Sequence, residues 1–303
     1  MKKLISSLLL LCLAAVVSAN DQMRQWTMES GDRMEGEILA YDEEEKVVTL
    51  RLADGTEVRR YESDFSVIDR AWILEWLEKG EEDRAKLAEV GGTVTEHTGT
   101  GKFTTEYAVF TPAGEAPEAG WPMMILFHPG GNGRRQIYRY IEAAAAVNMT
   151  VVSLDIFRNT DDNPEREAAL LERFKELLPQ IEATVAHDPQ RIYMGGVSGG
   201  SWRGYHYAAQ VPRPWAGIFA NGGWLGGQKY YHLPYPAMRV AMVNGDKDHA
   251  NRMIAPDTER LHEAGCIVSV HAFEGGHQLA PPSVQEKAFR WLLSVELPQA
   301  EMP

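Results

Sequence analysis

Cysteine is almost missing from these 303 residues: there are two, Cys12 and Cys266. Cys12 falls in a leader-like start, which leaves Cys266 alone and excludes both an internal disulfide and a cysteine-built zinc site. Stability must then come from a packed core, and about 280 residues are enough to build one. Basic charge is scarce as well, 30 Lys and Arg against 43 Asp and Glu, for a formal net charge of −13. An acidic surface of this kind is a poor partner for nucleic acid or anionic lipid, and it reads as serving solubility. Internal repeats and low-complexity tracts are lacking. So are long apolar runs beyond the first twenty residues, which excludes a helical membrane span.

The start of the chain is different. Lys2 and Lys3 form a basic tip, residues 5–17 are almost all apolar, and Val17-Ser18-Ala19 offers small side chains at the positions a signal peptidase reads. Residues 1–19 therefore read as a secretory signal peptide, too short for a spanning helix, and the expectation is a periplasmic or extracellular protein. A lipoprotein signal would use Cys12, but Leu11 stands where that signal wants a small residue. Loss of the leader removes two positive charges and no negative ones.

Two composition regimes follow. Residues 20–65 carry short alternating apolar runs and an Asp54-Gly55 pair between "VVTLRLA" and "TEV", the pattern of an antiparallel hairpin in a small twisted sheet. Residues 66–92 read as a linker helix, with Ser66 as cap, Asp69 at the third position, Ile73, Trp76 and Leu77 on one face, and Gly91-Gly92 at its end. From residue 93 to 297, buried-strand runs such as "MMILF", "MTVVSLDIF", "RIYMGGV", "WAGIFAN" and "MRVAMVNG" alternate with helical ones. One of these helices is expected over "RRQIYRYIEAAAAV". Such alternation predicts an α/β fold with a doubly wound, mostly parallel sheet, whose reactive groups gather at the carboxyl ends of the strands. Residues 298–303 form a tail.

"GVSGG", residues 196–200, fits G-x-S-x-G with a strand before it and a helix after it. The turn at such a serine is so tight that its neighbours two positions away must lack side chains, and it pushes Ser198 out at the positive end of a helix. A serine hydroxyl needs a base to take its proton and an acid to orient that base. After the strand "MRVAMVNG" comes "DKDHAN", with Asp246 and Asp248, and after "IVSVHAFE" comes "GGHQLAPP", with His277. His249 lies too near Asp248 in sequence to face Ser198, and His128 in "FHPGGNG" reads as a residue that holds its loop.

The order Ser198, Asp248, His277 and the motifs around them resemble the α/β-hydrolase superfamily, in its compact esterase branch near the dienelactone-hydrolase-like and polyhydroxyalkanoate-depolymerase or feruloyl-esterase-like proteins. The resemblance spans residues 93–297. It implies Ser198 as nucleophile, His277 as base and Asp248, at the end of "GDKD", as the acid, with Asp246 the alternative. Dienelactone hydrolases proper use cysteine, so from them only the architecture carries over. The resemblance also implies an oxyanion hole made by the N–H of Gly199 and one from the loop after "MMILF". Pro129 stands at the second position of that loop and has no N–H, so the donor is Gly130, or Gly131 if the loop is shifted. Trp202, Trp224 and Tyr230 are candidates for a substrate platform or for packing. Only a short connection separates "WAGIFAN" from the next strand, so no large cap fits and an open cleft is expected.

The expected activity is hydrolysis of a small-molecule or polymer-attached carboxylic ester, with no metal or organic cofactor. A peptidase of the prolyl-oligopeptidase kind shares the catalytic domain, but residues 20–65 are far too few for its propeller. "RQWT", "KVVTLRLADGTEV" and "FSVIDRAWI" resemble the small homology-domain-one module first recognised in an endocytic adaptor protein, a Src-homology-3-like barrel that recurs in exported bacterial proteins. That resemblance implies either a peptide ligand or a packing role, and with it a third reading: a non-catalytic envelope protein.

Overall fold

Each unit of the chain can be built from its own strands. The computed structural model describes residues 24–52, 54–156, 159 and 163–294, so the expected leader at 1–19 and tail at 298–303 lie outside the described residues. The chain parts into two units between Glu82 and Asp83.

In the first unit β1 (Arg24–Thr27), β2 (Arg33–Asp42), β3 (Val47–Leu52) and β4 (Glu57–Tyr61) form an antiparallel sheet in chain order. The hairpin between β3 and β4 turns at Asp54-Gly55, where Asp54 Oδ1 accepts the Thr56 N–H at 2.9 Å. Gly55 takes φ 84°, which a side chain would resist. Met28 and Phe65 form an antiparallel bridge that brings the end of the sheet back to its start, giving a barrel-like closure. Trp26, Ile38, Val48, Leu50 and Phe65 fill the interior, together with Ile73 and Trp76 from α1 (Val67–Val90).

Asp69 ties this helix to the sheet. Its carboxylate takes Arg24 Nη2 at 2.6 Å and the Thr27 N–H at 2.9 Å, and Ser66 Oγ accepts the Asp69 N–H at 3.2 Å as the cap. Burial alone would raise the Asp69 carboxyl, but these donors outweigh it and hold it below the usual range. Asp69→Ala leaves the Thr27 amide and Arg24 unpaired. It should lower the stability of this unit by about 3 kcal/mol, read as a shift in its denaturant midpoint.

The second unit is an eight-stranded sheet in the order β12-β11-β10-β9-β7-β8-β6-β5. Its elements in chain order are β5 (Thr93–Gly99), β6 (Thr105–Thr111), β7 (Trp121–Phe127), α2 (Gly133–Gln136), α3 (Ile141–Ala146), β8 (Thr150–Leu154) and α4 (Pro164–Thr184). There follow β9 (His187–Val197), α5 (Gly199–Gln210), β10 (Gly217–Asn221), β11 (Arg239–Gly245), α6 (Ile254–Glu263), β12 (Ile267–Phe273) and α7 (Pro282–Leu293). The six strands from β8 to β12 across β7 are parallel, and β6 and β5 close one edge antiparallel. Side chains of α4, α5 and α6 (Phe174, Tyr205 and Leu261 among them) cover one face. Ile141 of α3 and Phe289 of α7 cover the other. The sheet is thus doubly wound, as the alternation predicted.

Two elements differ from expectation. β5 goes unnoticed in the sequence because "TVTEHTG" buries almost nothing; it is an edge strand whose one neighbour among the described residues is β6. The single helix expected over "RRQIYRYIEAAAAV" is broken into α2, a 3₁₀ turn (Ile137–Arg139) and α3. Gln285 donates to the Arg139 carbonyl at 3.2 Å, in place of a helix N–H. The Tyr140 ring is drawn fully inside, edge-on to His128 and Phe219.

Candidate functional site

The carboxyl ends of β9, β11 and β12 bring the expected residues to one place. β9 runs straight into α5, and the turn between them is Ser198, at φ 54° and ψ −119°. A non-glycine residue with positive φ is a strained rarity, held here by the Ser198 N–H donating to the Asn221 carbonyl at 2.8 Å. The two glycines flanking it at a distance of two share one obstacle. A Cβ on either Gly196 or Gly200 would overlap the carbonyl oxygen of Phe127 at the end of β7. Gly196→Ala should therefore cost about 3 kcal/mol of overpacking, a fall of about 6–12 °C in Tm for a domain of this size, measured by thermal denaturation.

Asp248 follows β11 and His277 follows β12. His277 Nδ1 lies 3.0 Å from Asp248 Oδ1 and 3.1 Å from Oδ2, and its Nε2 lies 2.9 Å from Ser198 Oγ. With the imidazole proton on Nδ1 facing the carboxylate, Nε2 accepts the serine hydroxyl. The Asp248 side chain is fully buried, whereas that of His277 keeps 31% of its surface open to solvent. Asp248 Oδ1 also accepts the Ala250 N–H at 2.8 Å. Gly222, at φ 61°, packs against both partners, and a Cβ there would sit 3.0 Å from Asp248 Oδ2 and 3.2 Å from His277 Nδ1.

Asp246 does not face the histidine. Its Oδ1 accepts the Gly275 N–H at 2.9 Å, and the Lys247 N–H donates to the Gly275 carbonyl at 2.9 Å, so the acid loop and the histidine loop are bonded to each other.

A second serine–histidine contact exists. His128 Nε2 is 2.8 Å from Ser153 Oγ, and Ser153 Oγ donates to the Gly133 carbonyl at 2.6 Å. With Ser153 donating there, His128 supplies the N–H. Both residues are buried, and burial pushes the His128 imidazole down to about 3. A neutral histidine sealed from solvent next to a committed hydroxyl holds the loop and has no reach to a substrate.

Around Ser198, Gly199 opens α5, so its N–H precedes the helix's own ladder. On the facing loop the Gly131 N–H donates to the His128 carbonyl at 3.3 Å, closing a turn with Gly130 at its outer side. Asn159, which no sequence signal pointed to, lies here as well. Its N–H donates to the Pro129 carbonyl at 2.8 Å, and its carboxamide lies against Gly199, where a Cβ would overlap Oδ1.

The three aromatic residues separate. Trp202 lies tilted against His206 at 3.8 Å between ring centroids, and Tyr230 closes edge-on on the same pair at 5.6 and 4.3 Å. His206 is buried, donates from Nε2 to the Leu225 carbonyl at 3.0 Å, and is pushed down to about 4 by burial. That cluster shapes the loop between β10 and β11. Trp224 stands apart from it, edge-on to His249 at 5.7 Å on the side of His277.

No family model matches the chain, and no curated protein resembles it in sequence. Solved structures do resemble it in fold. Esterase LipW from Mycobacterium marinum is 15% identical, with 72% of this chain and 86% of that one covered and a TM-score of 0.56. An esterase from Pyrobaculum calidifontis is 12% identical over 72% and 91%, with a TM-score of 0.55. S-formylglutathione hydrolase from Staphylococcus aureus is 11% identical over 67% and 98%, with a TM-score of 0.53. At these identities the likeness speaks for architecture. The second unit has the α/β-hydrolase fold, preceded by a separate small four-stranded antiparallel unit.

Proposed function

We propose that the chain is an exported serine hydrolase that cleaves carboxylic esters through an acyl-enzyme on Ser198. The observation that carries this reading is the unbroken line from a buried carboxylate through His277 to a protruding serine oxygen, with bonds of 3.0 and 2.9 Å. His277 Nε2 takes the Ser198 proton as Oγ attacks the ester carbonyl carbon, and Asp248 holds the imidazolium that forms. The developing oxyanion is met by the N–H groups of Gly199 and Gly130, the Gly131 N–H being committed to its turn. His277 then protonates the departing alkoxide. Water, deprotonated by the same nitrogen, attacks the acyl carbon and releases Ser198.

The connection between β10 and β11 is short and carries no lid domain, which suits bulky or polymer-attached esters. Export rests on the basic tip and apolar run of residues 1–19. A protein recovered from a secreting host should begin at residue 20, as read by N-terminal sequencing.

A fluorophosphonate probe tests the chemistry directly. The leaderless protein should be labelled stoichiometrically at Ser198 and turn over p-nitrophenyl acetate. Folded protein that stays unlabelled after prolonged exposure would overturn the reading in favour of a scaffold. A series of acyl-chain lengths with acetylated and feruloylated sugars then ranks substrates.

A further inference from the structure

His249 takes no part in the reaction above, yet it is held beside it. Its ring centroid is 4.5 Å from that of His277, tilted by 45°, and its Nδ1 is 3.5 Å from Asp248 Oδ1. His277 Nδ1 is 3.0 Å from that same oxygen. One ligand atom from each of Asp248, His249 and His277 lies within 4.8 Å of the other two.

We infer that these three side chains form an inhibitory site for a borderline-soft divalent cation such as Zn²⁺. In a tetrahedral zinc site with bonds of about 2.0–2.1 Å, ligand atoms stand roughly 3.3 Å apart. The two distances to Asp248 Oδ1 straddle that edge, so small rotations of two exposed imidazoles suffice to close the site. Two imidazole nitrogens and one carboxylate oxygen make a donor set that suits zinc, copper or nickel far better than magnesium or calcium. The carboxylate is buried and fixed by the Ala250 N–H, while both imidazoles face solvent, so the cation enters from outside and keeps water in its fourth position.

The consequence for His277 follows from proton placement. A neutral imidazole carries one proton. In the free protein that proton sits on Nδ1, facing Asp248. A metal bound at Nδ1 needs the lone pair there, so the proton moves to Nε2. Nε2 then presents N–H to Ser198 where a lone pair had been, and nothing is left to accept the serine proton. The cation switches the base off by exchanging its tautomer while leaving the serine untouched, and its removal restores the original state.

The inhibitory half of this inference rests on the reaction proposed above, whereas metal binding does not, and the experiment separates them. Zn²⁺ is titrated calorimetrically, in chelator-free buffer, into wild type, Ser198→Ala and His249→Gln. In parallel, turnover of p-nitrophenyl acetate is followed in wild type and His249→Gln with and without Zn²⁺. The expected result is one Zn²⁺ per chain in wild type and Ser198→Ala, bound at least tenfold more weakly by His249→Gln. Wild-type turnover should fall with the same midpoint and return on adding EDTA, His249→Gln should need at least tenfold more Zn²⁺, and Mg²⁺ should have no effect. Equal affinity in wild type and His249→Gln, or full turnover in zinc-saturated wild type, overturns the inference. His249-dependent binding to a protein that turns over no ester under any condition supports the site and overturns the proposed reaction instead.

Discussion

Ser198→Ala is expected to lower turnover of p-nitrophenyl esters by about 10⁶-fold, the scale set by nucleophile removal in a serine protease triad. The fold should be unaffected, because the hydroxyl bonds to His277 alone among the described residues and the main-chain bond to the Asn221 carbonyl does not involve it. What survives is whatever oxyanion stabilisation Gly199 and Gly130 supply to attack by water. Ser198→Gly should be equally inactive yet more stable than wild type by about 1 kcal/mol, because it releases a positive-φ residue that only the surrounding turn enforces. Steady-state kinetics and thermal melts of the two variants check both statements. Retention of more than a tenth of wild-type turnover by either one would remove Ser198 from the mechanism.

The second large effect is on stability in acid. His128 and His206 are buried in their neutral forms, pushed down to about 3 and about 4 by burial. In the unfolded chain each titrates near 6.5. Between pH 6.5 and about 4 the unfolded state therefore binds two protons that the folded state does not. The stability these residues contribute is complete above pH 6.5 and is lost as the pH falls below it. Together the two histidines remove roughly 3 kcal/mol per pH unit. By about pH 4 the loss comes to roughly 7 kcal/mol, a large share of a total of about 5–15 kcal/mol, so the second unit is expected to be strongly destabilised in acid. His97 and His271, also lowered by burial, act in the same direction. Asp257, raised by burial, opposes them, since its folded form takes up a proton before its unfolded form does. Denaturant melts from pH 7.5 to 4.5 should show the slope, and His206→Gln should make it shallower. A midpoint that does not move between pH 7 and 5 would refute the assignment.

What sequence could reveal about this site was its local grammar. The glycines around Ser198 announce a steric need, and the order of serine, acid and histidine along alternating strands announces where they meet. That Gly196 and Gly200 answer to one carbonyl, Phe127, is a fact of β7 lying beside β9, and no spacing contains it. The break at Tyr140 depends on Gln285, 146 residues away from the carbonyl it caps. β5 carries no apolar alternation because one edge of it is unpaired and little of it is buried. Trp202 and Tyr230 left a substrate platform and packing both open, and it takes His206, itself anonymous in the sequence, to see that they close around a buried ring. Asn159 reaches Gly199 from within a polar run of sequence of ordinary composition, where nothing distinguishes it from its neighbours.

The bonds joining the loops after β11 and β12 through Gly275 make Asp248 and His277 parts of a single mechanical piece, and the connection between β10 and β11 is fastened elsewhere as well. Leu225 and Tyr231 anchor this connection to the Asp257 carboxylate, with exposed Gln228 and Lys229 between them. Extra residues grafted at Gln228-Lys229 would fall between those two anchors and leave the bonds through Gly275 untouched. The scaffold thereby admits insertions at that point without a reshaping of its centre.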